Sequence, residues 1–285
     1  MDAEVSGATA ARGREFEIEF QLLINAIYQS YHYDFRGYAP ASLRRRLKAA
    51  MLRFECPTLS RLQDRVMHEP AVFPALLDFL TVQVSEMFRD PGYFRALRRD
   101  VVPMLRTYPS LKLWVAGCSA GEEAYSLAIL LQEENLLSKS LIYATDINPR
   151  TLQSAAAGIY DVDRIAGFTA NHQKSGGTSS LSDYYTAAYG RAVFDKSLKD
   201  HIVFSDHSLA TDSVFAEVHL VSCRNVLIYF NRELQDRAVN LFRESLCRQG
   251  FLGIGAKESI RFTSHADAFI DVAREERIFQ KRAQW

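Results

Sequence analysis

Apolar positions along the chain follow two different periods, and the change between them divides it. Over residues 16–97 the repeat is helical: Phe20, Leu23, Ile24 and Ile27 share one face, and so do Leu43, Leu47, Ala50, Met51 and Phe54. Pro40, Pro57 and Pro70 punctuate these helices, and Ser42 is placed to cap the one that carries a run of arginines. No strand is expected in this stretch, which reads as a small helical module. Residues 1–14, small and polar, are expected to fray. At Leu111 the pattern shifts. Residues 111–116, 141–146, 202–204, 218–222 and 251–254 read as strands. Residues 122–134 and 232–247 read as helices, and Pro149 opens another at its first position. Strands alternating with helices predict a parallel sheet covered on both faces. Residues 167–198 break the rhythm with a Ser/Gly run (175–180), three tyrosines (Tyr184, Tyr185, Tyr189) and a short alternation at 191–194. They read as an insertion, either a small β-subdomain or in part a flexible loop.

Composition adds limits. With 285 residues, 48% of them hydrophobic, the chain can bury one large core or two modest ones. Lysine plus arginine and aspartate plus glutamate balance at 34 each, so net charge argues for neither a nucleic-acid nor a membrane partner. The distribution is uneven: Arg36, Arg44, Arg45, Arg46, Lys48, Arg53, Arg61 and Arg65 face only Glu55 and Asp64 over the same stretch. That block is a candidate surface for an acidic partner. The 4 cysteines form no CxxC pair and the 7 histidines lack ligand spacing, so no metal site is expected. His219, alternating within a strand pattern, reads as a packed or surface histidine. No signal peptide opens the chain, and no apolar run nears the ~20 residues that span a bilayer, so a cytoplasmic, reduced protein is expected.

The loop Ala116-Gly117-Cys118-Ser119-Ala120-Gly121-Glu122-Glu123 sits between the first strand and its helix and admits three readings. GxSxG has the local shape of a nucleophile elbow, but a hundred helical residues precede it and no HGG-like run supplies an oxyanion hole. A dinucleotide loop would place pyrophosphate on the helix N-terminus, where Glu122 and Glu123 would repel it. S-adenosylmethionine carries a sulfonium and an ammonium and no phosphate, so the same carboxylates attract it. Asp146 then ends the second strand, where an acid can accept from both ribose hydroxyls; capping the helix at Pro149 is the other role open to it.

Together with Tyr33-Asp34-Phe35-Arg36-Gly37-Tyr38, Glu86-Met87-Phe88-Arg89-Asp90, Ala144-Thr145-Asp146-Ile147 and Cys223-Arg224-Asn225-Val226-Leu227-Ile228-Tyr229-Phe230, this loop resembles the CheR-type chemoreceptor glutamate O-methyltransferases over most of the chain. The resemblance implies an α/β protein: an N-terminal helical receptor-docking domain (residues 1–90), a linker helix (91–110), and a Rossmann-like class I S-adenosylmethionine-dependent methyltransferase domain (111–285). A small β-subdomain would be inserted at about residues 163–200. It implies cofactor contacts from Gln83, Ser85 and Arg89 in the linker, Gly117 and Glu123 in the loop, Asp146, Ser208, Leu209, Arg224 and Asn225. Arg89 and Tyr229 match the pair near the transferable methyl, Arg89 holding a carboxylate and Tyr229 shaping the methyl site through its hydroxyl. Gln83 and Ser85 stand where the family has Asn and Thr, Ala124 where it has proline, and Gly255-Ala256-Lys257-Glu258-Ser259 matches a Gly-His-Ser-Glu segment only in part.

The implied acceptor is a glutamate of a chemoreceptor's cytoplasmic region, with S-adenosylhomocysteine as the second product and Arg44, Arg45, Arg46 and Arg53 as the docking face. Neither nucleic acid nor membrane insertion is implied, and a monomer is expected. The short connection between Tyr185 and Val193 implies no dependence on a receptor's C-terminal peptide tether. A non-catalytic cofactor-binding adaptor on a receptor array is the alternative function, and methylation of a small carboxylic acid a third.

Overall fold

The first helix is α1 (Asp2–Tyr31), whose side chains are described from residue 13 onward; the fraying expected for residues 1–14 falls almost wholly outside that described part. The computed structural model describes residues 2–283. They divide into two compact units, Met1–Val82 with Tyr229–Leu234, and Gln83–Ile228 with Gln235–Trp285. The boundary therefore falls at residue 82 and not at 90, and six residues from far along the chain join the first unit.

In the first unit α1 is followed by α2 (Pro40–Arg53), α3 (Leu59–His68) and α4 (Val72–Leu80). Most of the predicted faces are buried: Phe20, Leu23, Ile24, Ile27, Leu43, Leu47 and Ala50 are core, while Met51 and Phe54 are only half-buried. Ser42 does not cap α2. Its hydroxyl instead accepts from Arg46 Nη2 at 3.0 Å, and Pro40 simply starts the helix with no side-chain cap. The Tyr229–Leu234 segment is held here by backbone bonds, Ala39 N–H to the Tyr229 carbonyl (2.7 Å) and Asn231 N–H to that of Gly37 (2.8 Å). Tyr38 and Phe230 pack edge to face at 5.0 Å.

The second unit opens with α5 (Pro91–Ala96), a π turn (Leu97–Val101) and α6 (Val102–Leu105) in one run. Pro103, which has no N–H to donate, accounts for the widened turn before it. Then follow β1 (Leu111–Ala116), α7 (Glu122–Glu133), β2 (Ser140–Asp146), α8 (Pro149–Ala157), β3 (Ile159–Asp161) and α9 (Val162–Lys174). The chain continues through β4 (Tyr185–Ala188), β5 (Arg191–Phe194), α10 (Lys196–Lys199), β6 (Ile202–Asp206), β7 (Val218–Cys223), α11 (Arg232–Ser245), β8 (Leu246–Ile254), β9 (Phe269–Ala273) and β10 (Ile278–Lys281).

Among the described residues the main sheet has seven strands in the order β6-β2-β1-β7-β8-β10-β9. The first five are parallel; β10 runs antiparallel to both β8 and β9. The antiparallel edge departs from the all-parallel sheet expected. Trp114 is fully buried at its centre and donates Nε1–H to Thr145 Oγ1 at 2.9 Å. His219 is a packed histidine, its Nδ1 accepting from Lys112 N–H at 3.0 Å.

The insertion is a three-stranded sheet, β3-β5-β4, and begins at Ile159, ahead of residue 163. Its Ser/Gly run is tied down, because Glu133 accepts from Thr178 N (3.1 Å), Ser179 N (3.2 Å), Ser179 Oγ (2.7 Å) and His172 Nε2 (2.9 Å). Burial pushes the Glu133 carboxyl up, but hydrogen bonds from His172, Ser179 and Arg98 overcome it and hold the group at about 2. β4 and β5 join through a two-residue turn, Tyr189 and Gly190, both at positive φ (51° and 74°), the hairpin geometry that suits strand twist.

Candidate functional site

β1 lies between β2 and β7, so the chain leaves it towards opposite sides of the sheet, and the crevice at such a switch point is where open α/β sheets take ligands. The loop after β1 is built for close approach. Gly117 and Gly121 have φ of +75° and +92°, and a Cβ on Gly117 would come within 2.5 Å of Val226 Cγ2. The N–H groups of Gly117 and Cys118 both reach the Thr145 carbonyl at 2.8 Å. Asp146, at the end of β2, accepts from Ser119 N–H at 2.9 Å and Asn148 N–H at 3.0 Å. Burial pushes its pKa up against these bonds. The cap of α8 is Asn148, whose side chain accepts from Arg150 and Thr151 N–H. Asp146 is thus not that cap.

The two loop glutamates part company. Glu122 is buried; one oxygen accepts from Arg164 Nη2 at 2.8 Å and the other, Oε2, has no partner among the described residues. Glu123 is engaged at both oxygens, by Ser222 Oγ (2.6 Å) and Arg224 Nη1 (3.2 Å). Arg224 is itself locked: Nη2 donates to Asp90 Oδ2 (2.7 Å) and the Arg89 carbonyl (2.9 Å), the guanidinium lies 4.2 Å over the Tyr93 ring, and its side chain is 1% exposed. Tyr93 and Ser222 share a hydroxyl hydrogen bond of 2.7 Å beneath it.

Arg89 differs. The acids beside it are taken, Asp90 by Arg224 and Asp100 by Arg99, so its guanidinium has no ion pair among the described residues. It lines a cavity of about 420 Å³ with Ser85, Glu86, Asp90 and Asn171. Phe88 and Asp90 on either side hold φ of +50° and +54°, strain of the kind that collects at functional sites. Gln83 is exposed at the start of this segment. Ser208 and Leu209 follow β6, where Ser208 N–H donates to Asp212 at 2.9 Å and Leu209 is buried. Asn225, with φ +61°, follows β7, and buried Glu258 fixes it by accepting from Asn225 N–H (3.0 Å), Ile228 N–H (3.2 Å) and Gly255 N–H (2.6 Å). Burial raises the Glu258 carboxyl despite those bonds.

Tyr229 belongs to the first unit, where its ring carries the Arg46 guanidinium at 4.7 Å. On α2, Arg44 pairs with Glu17 at 2.8 Å and Arg46 donates to the Leu80 carbonyl, leaving Arg45 and Arg53 exposed beside Lys48 and an exposed Leu52. Ser119 is no hydrolase nucleophile: its Oγ is buried with no hydrogen-bond partner among the described residues, hence no base to activate it.

Residues 83–278 match the family model described as "CheR methyltransferase, SAM binding domain", and residues 18–81 match "CheR methyltransferase, all-alpha domain". The chain belongs to the CheR methyltransferase family. It is 56% identical to "Putative methyltransferase Cher3" of Pseudomonas putida, over 94% of this chain and 98% of that one. It is 27% identical to "Chemotaxis protein methyltransferase" of Listeria innocua (86% and 92% covered) and 29% identical to "Chemotaxis protein methyltransferase 1" of Vibrio cholerae (76% and 80%).

As a member of this family the chain is an S-adenosylmethionine-dependent methyltransferase, with that molecule as cofactor. The residues present fit it. Buried Glu122 Oε2 and Ser119 Oγ lack partners, the condition of polar atoms that a ligand completes. A carboxylate accepts at roughly four positions, and the N–H groups of Ser119, Asn148 and Ile147 leave capacity on Asp146. Sequence reasoning named Glu122 with Glu123 as a loop carboxylate but did not carry it to the site, and it missed Glu258 and Asp90. Glu258 carried a signal, because it stands in a segment that matches the family in part. No helix is long and apolar enough to cross a membrane among the described residues.

Proposed function

We propose that this chain transfers the methyl group of S-adenosylmethionine to glutamate side chains of a chemoreceptor's cytoplasmic signalling region. The observation that carries the reading is Arg89: a guanidinium without an ion pair among the described residues, opening into a cavity beside a strained turn, suits a carboxylate. Gln83, Ser85, Gly117, Glu122, Glu123, Asp146, Ser208, Leu209 and Asn225 would hold the cofactor, with Arg224 acting through Asp90 and Glu123. S-adenosylmethionine supplies the methyl and leaves as S-adenosylhomocysteine. A glutamate, with an ordinary pKa of about 4.3, is ionised at neutral pH and needs no general base. A carboxylate oxygen forms the new C–O bond as the C–S bond breaks, so the protein's task is to align the two and exclude water. The role of Tyr229 in shaping the methyl site rests on its place in the Cys223-to-Phe230 run.

Arg45 and Arg53, with Lys48 and Leu52, form the part of α2 suited to an acidic helical partner; Arg44 is paired with Glu17 at the surface and Arg46 bonds the Leu80 carbonyl. The two-residue turn between β4 and β5 is in keeping with turnover that needs no receptor tether. The protein would act in the cytoplasm as a monomer. Incubation with labelled S-adenosylmethionine and a receptor signalling domain should give base-labile label on the receptor. Label that resists base, or none from a protein that binds the cofactor, contradicts the reading.

A further inference from the structure

Residues 83–90 carry Ser85 and Arg89 yet belong to no helix or strand. Such a segment keeps one geometry only where its backbone groups find partners. One partner is α7, where Phe88 N–H donates to Ser126 Oγ at 2.8 Å. The others come from the inserted subdomain. Arg164 Nη2 donates both to the Ser85 carbonyl (2.6 Å) and to Glu122 Oε1 (2.8 Å), and Asn171 Nδ2 donates to the Met87 carbonyl at 3.1 Å. Arg164 and Asn171 lie two turns apart on one face of α9. Phe168 sits between them, its ring 4.8 Å under the Arg164 guanidinium. The subdomain also holds the glycine loop, since Tyr160 donates its hydroxyl to the Ala120 carbonyl at 2.8 Å.

We propose that α9 is a clamp that sets residues 85–89 against the cofactor loop, with Arg164 and Asn171 as its positioning residues. The inference rests on the reading that this segment and the glycine loop together hold the cofactor. Arg164 compensates the buried charge of Glu122, whose Oε2 has no partner among the described residues. Its second bond ties that carboxylate to Ser85. Asn171 fixes the carbonyl two residues before Arg89 and lines the same cavity. The insertion thereby works inside the enzyme, on cofactor affinity.

The test is calorimetric binding of S-adenosylhomocysteine to the full chain, with amide hydrogen exchange followed over residues 83–90. Arg164→Ala, which removes a charge-assisted bond, should weaken binding about tenfold or more and speed exchange in that segment. Arg164→Lys keeps the charge without the planar fork and should recover part of the affinity. Asn171→Ala removes one neutral bond and should weaken binding about threefold; it carries the test if Arg164→Ala does not fold. Binding within about twofold of wild type in both alanine variants, with unchanged exchange over 83–90, would overturn the clamp. So would equal losses in Arg164→Lys and Arg164→Ala with exchange quickened across the whole sheet. No acceptor enters the assay, so a wrong acceptor leaves the result intact. Wild type that binds no S-adenosylhomocysteine would overturn the cofactor face and the clamp together.

Discussion

Two regions of the molecule use arginine in the same divided way. On helix α2, Arg46 lies under Tyr229 and donates to the Leu80 carbonyl, while Arg45 and Arg53 are exposed. In the second unit, Arg224 is locked by Asp90, Glu123 and the Arg89 carbonyl, while Arg89 opens into a cavity. All carry the same guanidinium group, so residue type does not separate them. What does is whether the terminal guanidinium nitrogens already bond within the fold, as both do in Arg224 and Arg46. A spent arginine builds the fold; an unspent one is available to a ligand or partner.

The sharpest way to break this contrast is to remove the spent member. Arg224→Ala leaves Glu123 unpaired and should destabilise the protein by about 3–5 kcal/mol, read as a fall in thermal midpoint. Arg89→Ala should do the reverse. A charge-assisted bond to a carboxylate is worth about 1.5–3 kcal/mol, so methyl transfer should fall about tenfold to a hundredfold with the midpoint nearly unchanged. If the two variants lost stability alike, the division between them would fail.

Asp146 sharpens the comparison within the site. Its raised pKa means that it takes up a proton at higher pH than an ordinary aspartate, near 3.9. S-adenosylhomocysteine affinity should therefore fall as pH is lowered through that raised value, and Asp146→Asn should weaken binding about tenfold and flatten the profile. For the ligand-free fold the sign is opposite. A raised folded pKa gives stability present below the unfolded value and lost as pH rises through the folded one. Asp146→Asn should thus gain a little stability at neutral pH while losing affinity, which a denaturation series and a titration would show together.

On α2 the expected effects are smaller. Arg45→Glu with Arg53→Glu should raise KM for a receptor about tenfold with kcat unchanged, and added salt should weaken wild-type receptor use more than that of the variant. Equal salt dependence would remove α2 as the docking face. Tyr229→Phe keeps the ring that carries Arg46 and loses only the hydroxyl. Methyl transfer should fall several-fold, about 1 kcal/mol in barrier, with folding intact; unchanged transfer would confine Tyr229 to packing.

Much of the fold was legible because burial imposes its period on the sequence: Phe20, Leu23, Ile24, Ile27, Leu43, Leu47 and Ala50 were marked by spacing and all are core. β9 and β10 were not. Residues 269–273 alternate poorly between core and solvent, and a charged turn (Arg274, Glu275, Glu276) hides the hairpin. The glycine loop could be read because positive φ demands glycine at 117 and 121. The locks on Arg224 and Asn225 could not, since Asp90 and Glu258 lie far away in sequence and are joined to them only by folding. Arg164 belongs to no motif at all; its role appears only once α9 is laid beside residues 85 and 87.

The central claim is the identity of the acceptor, and peptide mapping of a receptor signalling domain after reaction with labelled S-adenosylmethionine tests it most directly. The account predicts label on glutamate side chains of the helical signalling region, reduced about tenfold or more with Arg89→Ala. Label on other residue types, or label undiminished by Arg89→Ala, would contradict it.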